Sequence, residues 1–132
     1  MIGASFIRVL MALTFVTASV ASGKAAGAPT YDTILGKWCG TKANPNWVNL
    51  LITRDALTIT HLPNNVVNKL TIDRFEFTDT TVMIHYFAAG ALKGVPGNNP
   101  YRVSYGDFSD DGKKMVQLHN DVQPRDAYYT RS

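Results

Sequence analysis

The side chains of this chain best suited to chemistry are three histidines, His61, His85 and His119. Three imidazoles that converge on one point suit zinc, because a neutral imidazole nitrogen is a good ligand for that ion. Each histidine falls in a different strand-like segment. Side-chain alternation places His61 on the inward face and the other two on the outward face. We therefore expect no metal site, and the sequence indicates no cofactor.

Cys39 is the only cysteine of the chain. It has no histidine near it in the sequence, and no Gly-x-Ser-x-Gly turn occurs, so no nucleophile beside a base is indicated. The chain cannot close an internal disulfide, and Cys39 is either buried and inert or pairs between chains. The carboxylates are scattered through strands and turns. The sequence thus predicts no catalytic residues and a protein that is not an enzyme.

The first residues have the layout of a secretory signal peptide, which we place over residues 1–21. Arg8 precedes an apolar run over residues 9–16, and small residues follow. The run is shorter than the roughly 20 residues that span a bilayer, so we expect a secreted or periplasmic protein with no membrane anchor in the mature chain. Residues 22–30 are small and rich in glycine, which predicts a flexible lead-in to a single domain over residues 31–132.

The composition is that of one domain without a nucleic-acid-binding surface. The formal net charge is +3 at pH 7, and the basic residues are scattered rather than clustered. The part that follows the leader and the lead-in is long enough to bury a core without disulfides or metals. The sequence therefore predicts a single domain whose partners are not nucleic acids.

Eight segments with the composition of β-strands follow one another along the chain, separated by turn residues such as Pro63-Asn64-Asn65 and Ser109-Asp110-Asp111-Gly112. Eight antiparallel strands can close into an up-and-down barrel, which leaves no unpaired edge. The predicted fold class is therefore all-β, a single antiparallel up-and-down barrel of about eight strands. The segments are Ile34–Thr41, Trp47–Thr53, Leu57–Leu62, Val66–Thr78, Val82–Phe87, Tyr101–Phe108, Lys114–His119 and Ala127–Arg131.

Alternation along the strands predicts which residues face the interior of the barrel. In the fourth segment the apolar parity changes between Ile72 and Phe75, which indicates a bulge near Asp73-Arg74. Such bends help a small barrel to curl and close. In the seventh segment Val116 and Leu118 form the apolar side and are predicted to face inward.

Three short motifs stand out: Gly36-Lys37-Trp38 at the start of the first strand, the late hairpin residues 108–113, and Tyr129-Thr130-Arg131 in the last strand. Together they resemble the lipocalins and related calycin-type barrels, and in particular small bacterial lipocalin-like proteins. In that family the tryptophan closes one end of the barrel, and an arginine of the last strand packs over it. The resemblance implies that Gly36, Trp38 and Arg131 form a structural plug, and that ligands bind at the opposite end.

The tyrosines and the long loop after the fifth strand supply the candidate ligand-binding residues. A barrel of eight strands is either filled by side chains or holds one small ligand, and the sequence leaves both open. In a hollow barrel Tyr86, Tyr101 and Tyr105 would offer hydroxyls within apolar walls. Leu92 and Val95 would close over the ligand from the loop. The first hypothesis is thus a non-enzymatic binding protein for a small hydrophobic ligand.

A second hypothesis is a protein-interaction module with a protein partner. It follows from an analogy with small periplasmic barrels that inhibit metalloproteases by inserting an N-terminal arm into the enzyme cleft. Residues 22–30 are placed like such an arm. Deletion of these residues without loss of partner binding would reject this hypothesis.

Overall fold

The computed structural model describes residues 27–122 and 126–132. Within these ranges one short helix, α1 at Tyr31–Ile34, precedes eight strands. None of the described helical residues belongs to a helix with the length and apolar character required to cross a membrane. The strands are β1 at Gly36–Gly40, β2 at Val48–Ile52, β3 at Ala56–His61, β4 at Val66–Phe77, β5 at Val82–Tyr86, β6 at Tyr101–Gly106, β7 at Lys114–Asn120 and β8 at Ala127–Arg131.

The sheet closes on itself, because each strand pairs antiparallel with the next and β8 pairs with β1. This confirms the predicted fold class, an all-β up-and-down barrel of eight strands. The connections after β1, β3, β5 and β7 lie at one end, which we call the open end. The connections after β2, β4 and β6 lie at the other end together with α1, and we call this the closed end.

The leader and most of the lead-in, residues 1–21 and 22–26, lie outside the described residues. The described remainder of the lead-in packs on the domain. Pro29 is buried, and the Thr30 N–H donates a 2.9 Å hydrogen bond to Thr33 Oγ1 at the start of α1. The hypothesis of an inserting N-terminal arm therefore depends mainly on residues outside the described ranges, and it stays a prediction.

Trp38 and Arg131 lie together at the closed end. The Trp38 ring is fully buried, and its Nε1 donates a 2.9 Å hydrogen bond to the Ile34 carbonyl. The Arg131 guanidinium carbon lies 4.1 Å from the centroid of that ring, a cation–π arrangement. The guanidinium also donates to backbone carbonyls, those of Asp32 (3.1 Å), Thr33 (2.7 Å), Leu35 and Gly112 (3.4 Å). Arg131 thereby fastens α1 and the residues before β1 across the end of the barrel.

Two features require a glycine at position 36, namely its backbone conformation and the close approach of the Arg131 side chain. Its φ is +119°, a conformation that residues with a Cβ rarely adopt. A Cβ at this position would lie 2.6 Å from Arg131 Nη1. The glycine of the Gly-x-Trp tripeptide therefore makes room for the arginine that covers the tryptophan.

A second aromatic layer lies outside the tryptophan at the closed end. The Tyr31 ring meets Phe75 and Phe77 edge-on, with centroid distances of 5.2 and 4.9 Å. The Arg54 guanidinium carbon lies 3.9 Å from the centroid of the Tyr31 ring. These contacts bury apolar surface of α1 against β4 and complete the seal.

Two register shifts shape the sheet. The pairing of β4 with β5 shifts between Ile72 and Arg74, which confirms the predicted bulge. The pairing of β6 with β7 shifts between Ser104 and Tyr105, and nothing in the sequence analysis predicted this second irregularity.

The side chains of β7, next to the second register shift, face opposite to the predicted directions. Met115 and Gln117 face the interior and are buried, whereas Leu118 is 39% exposed on the outside, so the predicted inward face of Val116 and Leu118 is wrong. A physical reason is the space above Gly106. A Cβ built on Gly106 would lie 2.7 Å from Leu118 Cδ1, so Leu118 packs over the bare glycine backbone on the outer surface.

Asn44 extends the seam between β1 and β8 beyond the strands themselves. The two strands pair directly from Trp38 to Gly40. Beyond this pairing, Asn44 Nδ2 donates to the Tyr128 carbonyl and Asn44 Oδ1 accepts from the Tyr128 N–H, both at 2.9 Å. The carboxamide is buried and pairs with the backbone N–H and the backbone carbonyl of a single residue, Tyr128. It fixes the connection after β1 against β8 at the open end.

Candidate functional site

A cavity of about 260 Å³ lies inside the barrel at the open end. Its volume is just below the range of about 300–1,000 Å³ that is usual for small-molecule pockets. The cavity therefore has room for one molecule at the small end of that range. The barrel is thus filled by side chains near Trp38 and hollow towards the open end, which combines the two alternatives left open by the sequence. Apolar side chains form most of its wall, among them Val48, Leu50, Leu57, Ile59, Leu70 and Ala127.

The cavity runs from a buried floor to an exposed rim. Tyr105 and Leu57 are each 2% exposed, whereas Tyr101 and Val122 at the rim are 41% and 58% exposed. The floor meets the core that surrounds Trp38. Among the described residues, no lysine, arginine, aspartate or glutamate lines the cavity. A molecule in this cavity would therefore meet apolar surface and the polar groups of tyrosine, asparagine, glutamine and histidine side chains.

Tyr86 stands on the wall between floor and rim. Its hydroxyl donates a 3.0 Å hydrogen bond to Asn120 Oδ1, which also accepts a bond from the Val122 N–H. Its ring lies 5.9 Å from that of Tyr101, centroid to centroid. Burial raises the pKa of Tyr86 to about 12, against the opposing effect of the hydrogen bond with Asn120. This hydroxyl is therefore protonated and already engaged.

Tyr105 and Tyr129 differ from Tyr86 because their hydroxyls are unengaged. Their rings meet edge-on with centroids 6.2 Å apart, and both line the cavity. Within residues 27–122 and 126–132 neither hydroxyl has a hydrogen-bond partner, although the two side chains are only 2% and 3% exposed. Burial raises the pKa of Tyr129 to about 12 and that of Tyr105 well above its usual value. Two buried tyrosines with neutral hydroxyls thus lie side by side at the floor.

These pKa shifts predict a loss of stability at high pH. The unfolded chain releases its phenol protons near pH 10, whereas folded Tyr86 and Tyr129 hold theirs up to about 12. The unfolded state therefore binds fewer protons in this window, and the free energy of unfolding falls as pH rises from 10 to 12. Each shifted tyrosine contributes a slope of up to about 1.4 kcal/mol per pH unit. Denaturant titrations at several pH values measure this slope.

The matched variants for this measurement are Tyr129→Phe and Tyr128→Phe. The first removes a buried phenol and should make the slope shallower. The second removes a phenol whose side chain is 57% exposed, and it serves as the control. Equal slopes in both variants would contradict the assignment.

The structure brings three of the five predicted ligand-binding residues to the cavity. Tyr86, Tyr101 and Tyr105 line it, whereas Leu92 and Val95 do not. These two side chains are 65% and 44% exposed on the connection after β5. Closure of these two side chains over a bound ligand stays a prediction.

Lys93 ties that connection to the bulge of β4. Its Nζ lies 3.1 Å from Asp73 Oδ1, and Arg74 contacts the other oxygen of the same carboxylate. Short internal turns, such as the hydrogen bond from the Asn98 N–H to the Val95 carbonyl, shape the rest of the loop. Of this segment only Ala88, next to β5, reaches the cavity lining.

Sequence reasoning missed several lining residues. Gln117 lies on the cavity wall because β7 has the opposite phase to the predicted one, and Tyr129 lies on β8, whose alternation is too mixed to orient. Asn120 follows from neither pattern. Gly106 offered a signal for the direction of Gln117, because a glycine within a strand often marks a bulge. A bulge in the pairing of β6 with β7 changes which side chains of β7 face inward.

The three histidines have separate surroundings. His61 lies at the rim, with its Nε2 3.3 Å from Asn68 Nδ2. His85 faces outward and pairs with Glu76 at 2.6 Å, and His119 pairs with Asp121 at 2.8 Å. In the described part of the chain, no three or more histidine, cysteine, aspartate or glutamate residues are grouped so that they could hold a metal ion.

Asp121 and Cys39 complete the polar groups of interest. Hydrogen bonds from His119 and Arg102 lower the pKa of Asp121 to about 2, so this carboxylate, on the connection after β7, is ionised and paired. Cys39 is a free thiol on β1, half-buried, at a position that alternates with the inward-facing Trp38. Neither residue lines the cavity.

Compared with protein-family models, with curated proteins and with solved structures, the chain gives no match. The description of the site therefore rests on the structure of this chain alone. The barrel has one sealed end and one open end, and its mainly apolar cavity has two tyrosines at its floor.

Proposed function

We propose that this protein is a lipocalin-like, non-enzymatic carrier that binds one small apolar molecule inside its barrel. The observation that carries the proposal is the shape and lining of the cavity. Within the described residues it is mainly apolar and opens at one end of the barrel, and Trp38 and Arg131 seal the opposite end. An apolar molecule in such a cavity leaves water for a mainly apolar surface, which is favourable by about 25 cal/mol per Å² buried.

The likeness to lipocalins is supported by the arrangement at the closed end. Gly36 has a positive φ, Trp38 is buried, and Arg131 lies over the tryptophan ring. The lipocalin motif implies these three roles. Membership of that family remains part of the proposal.

Export is proposed from the composition of residues 1–21, in which a basic residue precedes an apolar run and small residues. Cell fractionation tests it with the full chain and with a variant lacking these residues. The full chain should be found outside the cytoplasm, and the shortened one inside. Retention of both in the cytoplasm would reject export.

Binding is tested with an environment-sensitive apolar fluorescent probe and by native mass spectrometry. We expect Ala127→Phe to weaken probe binding at least about tenfold, because Ala127 is buried and faces the cavity, so the larger ring occupies the space of the ligand. Thermal unfolding of the variant checks that the barrel remains folded.

The control for this experiment is Tyr128→Phe, the adjacent residue on β8. Tyr128 is 57% exposed and does not line the cavity, so this variant should bind as the natural protein does. Absence of binding by the natural protein to any apolar probe would reject the proposed function. Unchanged affinity in folded Ala127→Phe would place binding elsewhere.

A further inference from the structure

We propose that the ligand carries a neutral hydrogen-bond acceptor, such as a ketone or ester carbonyl, which enters first and accepts hydrogen bonds from the Tyr105 and Tyr129 hydroxyls at the cavity floor. The inference rests on the proposed function and adds the chemical class and the orientation of the ligand. The apolar remainder of the molecule lies against the wall towards the rim.

The first support is the unmet hydrogen-bonding capacity at the floor. A buried polar group is nearly always hydrogen-bonded in native proteins. Tyr105 and Tyr129 are 2% and 3% exposed, and neither hydroxyl has a partner among the described residues. Tyr86 provides the contrast on the same wall, since its hydroxyl is bonded to Asn120 Oδ1. The floor therefore offers two donors that a ligand acceptor can satisfy.

The second support is the charge of the lining. Among residues 27–122 and 126–132, no lysine, arginine, aspartate or glutamate lines the cavity, and the one histidine that does, His61, stands at the rim. A carboxylate at the floor would lose its hydration without gaining a partner of opposite charge, which is costly in an apolar setting. The same burial keeps the phenols protonated, so they act as donors. A neutral acceptor meets these conditions, and an anion does not.

The third support is the order of polar groups along the cavity. The unpartnered hydroxyls lie at the floor, beside the core around Trp38. Further out, the Tyr86 hydroxyl is already bonded, and His61 and Tyr101 stand at the rim within reach of water. A hydrogen bond made at the floor is shielded from water. An acceptor placed there gains more than one placed at the rim, which fixes the orientation of the ligand.

The test compares three compounds of equal chain length, a methyl ketone, an alkane and a carboxylate, by displacement of the apolar fluorescent probe. In the natural protein we expect the ketone to bind about tenfold more tightly than the alkane, as one satisfied hydrogen bond allows. In Tyr105→Phe combined with Tyr129→Phe this preference should vanish while alkane affinity is retained. Tyr128→Phe should keep the preference, because that side chain lies outside the cavity.

The outcomes separate this inference from the proposed function. Equal binding of ketone and alkane to the natural protein, a preference that survives the double variant, or tightest binding of the carboxylate would each overturn the inference while apolar binding stands. Failure of every compound and of the probe to bind would overturn both. The phenylalanine rings keep the packing of the floor, and thermal unfolding of the double variant verifies that it folds.

Discussion

Replacing Arg131 with methionine is expected to lower the free energy of unfolding by about 3 kcal/mol. The guanidinium is held by carbonyls of the segment before β1 and by the face of Trp38. Hydrogen bonds to charged groups contribute about 1.5–3 kcal/mol, and the carbonyls left behind lose their donors. Methionine retains an apolar chain of similar length, so the loss reports the guanidinium itself. Denaturant unfolding measures it.

The control for this prediction is Arg54→Met at the same end of the barrel. Arg54 lies over the Tyr31 ring, with its guanidinium carbon 3.9 Å from the ring centroid. A cation–π contact at an exposed site contributes about 0.5–1 kcal/mol, so the expected loss is small. Equal losses in the two variants would contradict the role given to Arg131. Arg131→Lys should recover little, because an ammonium group cannot reach several carbonyls as a planar guanidinium does.

Replacing Trp38 with alanine is expected to cost about 3–5 kcal/mol, the range for removal of a large aromatic side chain from a core. The Trp38 ring is fully buried, supports the Arg131 guanidinium, and donates a hydrogen bond to the Ile34 carbonyl. Its loss leaves a cavity at the closed end and removes the base on which Arg131 rests. Cooperative denaturant unfolding, followed by circular dichroism, measures the effect.

Trp47→Ala serves as the matched control, since Trp47 is half-buried at the open end and has Lys42 5.6 Å from its ring centroid. The expected loss is much smaller than for Trp38. If Trp38→Ala fails to fold, Trp38→Phe keeps a ring but loses the hydrogen bond to Ile34, and it should still be less stable than Trp47→Phe. A larger loss at Trp47 than at Trp38 would reject the account of the closed end.

The strands and the first bulge were predictable because they depend on local patterns. Alternation and turn residues located all eight strands, and the change of parity between Ile72 and Phe75 located the bulge in β4. The phase of β7 was not predictable in the same way. Val116 and Leu118 are more apolar than Met115 and Gln117, yet the register shift at Ser104 and the space over Gly106 select the opposite face.

Strand alternation predicted the direction of the tyrosines at the candidate site, but no pattern in the sequence predicts where the side chains of the long loop lie. Tyr86 and Tyr105 reach the cavity because they lie on strands, where parity fixes direction. Leu92 and Val95 lie on a long connection that contacts β4 through Lys93 and Asp73, two residues far apart in the sequence, and no local pattern predicts such a contact. The hollow itself depends on the volume that side chains leave unfilled, which no local pattern reports.

Asn44 has a consequence for how mutation can act on the barrel. β1 and β8 are otherwise joined by backbone–backbone hydrogen bonds. Most substitutions preserve such bonds, because all residues except proline carry the same N–H and carbonyl groups. The pair of bonds at Tyr128 depends instead on one carboxamide side chain. This part of the contact between β1 and β8 therefore depends on the identity of one residue. A single nucleotide change that replaces Asn44 can remove both hydrogen bonds at the open end and leave the backbone pairing of the strands in place.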